Sequence, residues 1–151
     1  MEEGIEQIVS ITEVEDIKWD EYPIPLEGYR IATTQHVYHI LIENEESCCE
    51  TWGYLASENN PQDFIGAHLR TVNLTDDARD HHALEEIALG RGRSRYATRT
   101  NKPNDVEYCV QFVDFVTDHG VLQIVVYNSN GNYGHTIIVA QDLEILLEKF
   151  L

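Results

Sequence analysis

Arg91, Arg93, Arg95, Arg99 and Lys102 fall within twelve residues and make up half of the ten bases in this chain of 151 residues. The chain also holds 27 acids and has a net charge of −17. Guanidinium groups crowded in this way repel one another by about 1 kcal/mol per close exposed pair, so the cluster needs anions beside it. The planar fork of arginine grips a phosphate or carboxylate at two points. One source of anions is the protein's own acidic surface, in the same chain or in a neighbouring subunit. The other is a small phosphorylated ligand, with Tyr96 or Tyr133 against its base. Arg91, Arg93, Arg95, Tyr96, Arg99 and Tyr133 are therefore the candidate ligand-binding residues, and a homo-oligomer is expected. Gly90-Arg91-Gly92-Arg93-Ser94-Arg95 lacks the third glycine and the Lys-Ser/Thr of phosphate-binding loops, and it follows a helical stretch instead of opening one. A polyanion such as RNA would have to lie against a remainder with 27 acids and five bases, which argues against direct nucleic-acid binding.

Other chemistry-bearing residues read better as structure. Cys48-Cys49-Glu50, with His36 and His39 upstream, suggests zinc, but adjacent side chains diverge and zinc ligands favour spacings of two to four residues. Buried thiols at a strand end, with Glu50 bonding backbone amides, fit better. In Asp80-His81-His82 the two imidazoles point about 100° apart on a helix and cannot share an ion. No Gly-x-Ser-x-Gly elbow is present, and no histidine partner can be assigned to Cys49 or Cys109. No catalytic residue, metal or cofactor is assigned, and a non-enzymatic protein is expected.

The elements that must position these residues read as mixed. Ile5 to Ile17 is rich in β-branched residues and predicts a strand. Pro23 and Pro25 interrupt it, and 29–34 with 37–43 then read as a hairpin. In its second arm Val37, His39 and Leu41 alternate with Tyr38, Ile40 and Ile42 across two faces. Trp52 to Leu55 predicts a short strand, and 61–65 one helical turn closed by Gly66. His68 to Leu74 alternates as a strand. Residues 76–89 read as a helix, capped by Thr75 or Asp76 and stopped at Gly90. Val106 to Val116 and Val121 to Asn128 predict two strands around Asp118-His119-Gly120, apolar on both faces. Asn130 and Gly131 form a turn favouring positive φ, and His135 to Ala140 reads as the third strand of a meander. Leu143, Leu146, Leu147 and Phe150 recur at i, i+3, i+4 and i+7, which predicts a covering amphipathic helix. The expected fold is α+β: a mainly antiparallel sheet of about six strands with one or two helices packed on it. It forms one domain over 1–151, with an acidic segment at 1–22 and an insertion at 76–102.

Two segments carry a resemblance. Ile42-Glu43-Asn44-Glu45-Glu46-Ser47-Cys48-Cys49-Glu50 after a hairpin, and Ser129-Asn130-Gly131-Asn132-Tyr133 between late strands, together resemble a small phage-borne domain family of unknown function, DUF7448. The likeness covers roughly 29–66 and 105–140. The acidic N-terminal extension and residues 76–102 depart from its short members. The resemblance implies a phage or prophage gene and a mostly β fold, and brings no activity with it.

Composition narrows the rest. Residues 2–21 hold eight acids and one base. Met1 to Glu6 is acidic where an export or transit peptide would be basic. The three cysteines are an odd count and read as reduced thiols. No apolar run approaches the roughly 20 residues of a membrane span. The expectation is a protein of the host cytoplasm that binds and neutralises a host component, in counter-defence by sequestering a phosphorylated nucleotide signal. Two other classes fit the composition: an acidic DNA mimic docking on a basic, nucleic-acid-binding host protein, and a small metal-dependent hydrolase.

Overall fold

A computed structural model describes residues 5–19, 22–44, 52–56, 60–75, 109–128 and 135–150. Its strands are β1 (Glu6–Ile17), β2 (Leu26–Thr33), β3 (Val37–Glu43), β4 (Trp52–Ala56), β5 (His68–Thr75), β6 (Cys109–Thr117), β7 (Gly120–Asn128), β8 (Thr136–Gln141) and β9 (Glu144–Phe150). They form one antiparallel sheet in the order β4-β7-β6-β5-β1-β2-β3-β8-β9.

β1 joins the two halves. It pairs with β5 only at Glu6 and Gln7, and with β2 from Ile8 to Ile17. A register shift between Ile8 and Ser10 inserts Val9 as an extra residue. In a regular strand Ile8 and Ile11 would face opposite sides, because the side-chain period is two. The bulge instead buries both and leaves Val9 exposed.

The sheet folds over on itself, so that one face of each half meets the other in the main core. Ile31, Ile40, Ile42, Ile137 and Val139 pack with Val113, Phe115, Leu122, Ile124 and Val126. Two edge-to-face aromatic pairs cross the interface: Tyr29 with Tyr54 at 5.6 Å and Tyr38 with Phe115 at 5.4 Å. The Lys149 ammonium on β9 donates to Gln111 Oε1 on β6 at 3.0 Å, tying an edge strand of one half to the other half. On the opposite face of the β2–β3–β8 layer a smaller core forms from Leu26, Leu41, Ile138 and Ala140. The end of β1 covers it with Val14 and Ile17, and the chain beyond adds Trp19 and Tyr22.

Most predicted strands stand where the sequence placed them. The predicted helical turn at 61–65 is a 3-10 turn over Pro61–Phe64, capped by Asn60, whose side chain accepts from Gln62 N. Three expectations are corrected. The architecture is not α+β: among the described residues it is one nine-stranded antiparallel sheet with no α-helix. The predicted C-terminal helix is strand β9. Its apparent helical period comes from a bulge, since Ala140 pairs with Ile145 but Val139 with Leu147, leaving Leu146 as the extra residue in a short apolar run. A segment that short makes a marginal helix on its own, whereas β8 offers it a full ladder of backbone partners. The third correction concerns the meander. β8 pairs with β3 and β9, while β7 lies between β6 and β4. The predicted helix at 76–89 lies outside the described residues.

Candidate functional site: a tryptophan–histidine cleft

Among the described residues, one concave feature lies on the outer face of the β2–β3–β8 layer. At the end of β1, Asp16 adopts a left-handed φ of 54° and the register with β2 shifts. The chain then leaves the sheet through Lys18 and Trp19, and Tyr22 N donates to Trp19 O at 2.9 Å, closing a turn over the small core. His39 stands on β3, opposite Arg30 on β2 and Ala140 on β8. Period-two alternation puts it on the same outer face as Leu41, with Tyr38, Ile40 and Ile42 turned into the main core. Ile17, Lys18, Trp19, His39 and Leu143 line a cleft of about 390 Å³. Small-molecule sites run from roughly 300 to 1,000 Å³.

The Trp19 and His39 rings meet edge-to-face at 5.4 Å. Burial pushes the His39 pKa down, and the Arg30 charge adds to that shift. Its Nδ1 is buried without a hydrogen-bond partner. The ring is therefore neutral at neutral pH, and positive charge at the cleft comes from Lys18 and Arg30. Among the described residues the bases are Lys18, Arg30, Arg70 and Lys149. Of these four, Lys18 lines the cleft and Arg30 stands beside His39 on β2, on a chain of net charge −17.

Other polar clusters in the fold are structural ties. Asp142, at a left-handed φ of 55° in the β8–β9 turn, accepts from Val37 N through Oδ1 at 3.0 Å and from His36 Nδ1 through Oδ2 at 2.7 Å. The mutual bond raises the His36 pKa and lowers that of Asp142. Nearby, Thr33 Oγ1 donates to Glu6 Oε2 and accepts from the backbone N–H groups of Gln35 and His36, fixing the β2–β3 turn. At the opposite hairpin, Asp118 accepts from His68 N at 2.8 Å, which holds its carboxyl below the usual range, and it lies near the rings of His68 and His119. Trp52 stacks at a tilt on His135, whose Nδ1 donates to Glu43 O at 2.9 Å. Among the described residues no group of three or more His, Cys, Asp or Glu could hold a metal ion. No helix of the described residues is long and apolar enough to cross a membrane.

The predicted ligand-binding residues Arg91, Arg93, Arg95, Tyr96, Arg99 and Tyr133 lie outside the described residues. So do Cys48, Cys49, Glu50, Asn130 and Gly131, and the Asp80-His81-His82 run. Sequence reasoning missed the cleft itself. Trp19 sits in an acidic stretch that reads as surface, and the signal for His39 was its place in a face alternating with Leu41.

No curated protein and no solved structure matches the chain. A family model described as a domain of unknown function, DUF7448, matches residues 6–139, so the chain belongs to that family.

Proposed function

We propose that this protein is a non-enzymatic binding module, and that the Trp19–His39 cleft takes a small anionic ligand with a planar aromatic part, of the phosphorylated-nucleotide class. The observation that carries the reading is the pairing of an aromatic wall with cations on an otherwise acidic protein. Trp19 and neutral His39 give a base apolar and polarizable surface to pack on. Lys18 supplies a point charge for a phosphate, and Arg30 adds to the local positive potential. Desolvated aromatic contacts of this type contribute about 1–3 kcal/mol per base. In the phage setting that the resemblance implies, sequestering such a signal in the host cytoplasm would blunt a host response.

Isothermal titration against cyclic nucleotides and ADP-ribose tests the reading. Trp19→Ala should weaken binding by roughly 5- to 150-fold, the range that corresponds to that stacking contribution. Lys18→Ala should weaken it less and flatten its dependence on salt. The double variant Arg93→Ala, Arg95→Ala separates the cleft from the arginine cluster. If that variant abolishes binding while Trp19→Ala and Lys18→Ala leave it intact, the cleft is not the site. If none of these compounds gives heat with the unmodified protein, the binding reading fails.

A further inference from the structure

We infer that Asp142 is a positioning residue for the cleft: it fixes the β8–β9 turn so that Leu143 stands as the cleft's outer wall. This rests on the binding reading given above and adds the part of the molecule that sets the shape of the site.

The turn consists of Asp142 and Leu143, between the paired residues Gln141 and Glu144. Leu143 lines the cleft, yet it is 91% exposed. A leucine left that open loses the favourable burial of its side chain unless something covers it, and a ligand packed in the cleft would do so. Nothing in the packing of Leu143 itself can hold it in place. The restraint comes from its neighbour. Asp142 N donates to Val37 O at 2.7 Å, Asp142 Oδ1 accepts from Val37 N at 3.0 Å, and Asp142 Oδ2 accepts from His36 Nδ1 at 2.7 Å. These three bonds fasten the turn to the start of β3, the strand that carries His39. Beyond the last β3–β8 pair, Tyr38 with Gln141, Asp142 thus carries the tie between wall and floor into the turn itself. The left-handed φ of 55° at Asp142 is part of the device. Asp and Asn tolerate that conformation better than most side chains, and a short carboxylate there reaches both Val37 N and His36.

The test combines ligand affinity with a measurement that needs no ligand. The probe is ADP-ribose, titrated calorimetrically into wild type, Leu143→Ala, Asp142→Gly, Asp142→Asn and the double variant Asp142→Gly, Leu143→Ala. Asp142→Gly keeps the backbone freedom and removes both side-chain bonds. It should weaken binding about as much as Leu143→Ala does, on the order of tenfold for losing a packed leucine. The double variant should be little worse than either single one, because both remove the same wall. Asp142→Asn keeps the amide oxygen for Val37 N and the tolerance of positive φ, and should stay within about threefold of wild type. A residue that served only general stability would give additive effects and no rescue by asparagine. In parallel, acrylamide quenching reports the exposure of Trp19, since Trp52 is 1% exposed and adds little. Quenching should rise in Leu143→Ala and Asp142→Gly and stay at the wild-type level in Asp142→Asn. Additive losses, or a quenching constant that Asp142→Gly leaves unchanged, overturn the inference even if Trp19→Ala abolishes binding. Absence of heat with wild type removes the binding reading, while quenching still decides whether Asp142 sets the wall.

Discussion

Gly28→Ala is the substitution whose cost follows most directly from the backbone. Gly28 lies in β2 between Val14 of β1 and Leu41 of β3, so both of its flanks are occupied by paired strands. At its φ of +158°, an added Cβ would come to 2.0 Å from Ile40 O, 3.0 Å from Ile40 C and 3.1 Å from Leu41 Cα. Every one of these is a backbone atom of an interior strand, so no rotamer change relieves the clash. β2 and β3 would have to separate locally. Two to three ladder hydrogen bonds at about 1 kcal/mol each would be weakened, and repacking of the buried residues around them adds about 1–3 kcal/mol. The expected loss is about 3–6 kcal/mol. For a domain of this size each kcal/mol moves Tm by about 2–4 °C, so the melting temperature should fall by about 6–24 °C. Thermal unfolding followed by circular dichroism, with urea titration at a common m-value, measures it. A Gly28→Ala protein melting within about 2 °C of wild type would refute the reasoning, because it would mean that the two strands do not approach as closely as described.

Three further outcomes are expected. Phe115→Ala removes a fully buried ring that meets Tyr38 edge-to-face across the folded sheet, and should cost about 3–5 kcal/mol in urea unfolding; a loss under 1 kcal/mol would mean that the two halves do not share this core. Tyr127→Phe should be neutral or stabilising by up to about 1 kcal/mol, because the Tyr127 hydroxyl is buried with no hydrogen-bond partner, and a marked loss of stability would contradict that. The His36–Asp142 tie should give a pH-dependent stability difference between wild type and Asp142→Asn. His36, raised from 6.5, contributes fully below 6.5 and loses its contribution as pH rises through the raised value. Asp142, lowered from 3.8, contributes above 3.8 and loses its contribution as pH falls through the lowered value. The deficit of Asp142→Asn should therefore be greatest between 3.8 and 6.5 and shrink on either side; a deficit independent of pH in thermal melts would contradict the tie.

Local pattern placed most strands but misled at two kinds of site. The alternation of Tyr38, Ile40 and Ile42 against Val37, His39 and Leu41 was readable because β3 is regular and each face has its own core. At β1 and β9 a bulge breaks the period. One extra residue brings Ile8 and Ile11 to the same side, and at the C-terminus the extra residue Leu146 in β9 stands with Leu147 and the turn residue Leu143 at spacings a helix would also use. Turn chemistry was legible where the side chain bonds its own neighbourhood, as at Asn60-Pro61. It was not legible at Asp142, whose partners are His36 and Val37, more than a hundred residues away in the chain.

The residues by themselves determined the acidic balance, the β-rich character, the position of most strands and the likeness to the DUF7448 family. Each of these depends on composition or on neighbours a few positions apart. Tertiary structure alone decided the order of the strands, the folding of the sheet over β1 and the meeting of Lys18, Trp19, His39 and Leu143 at one cleft. Those depend on which strand edges pair, and pairing energy comes from backbone bonds that every sequence offers equally. Side chains select among the possible pairings only through packing that forms once distant segments are already side by side.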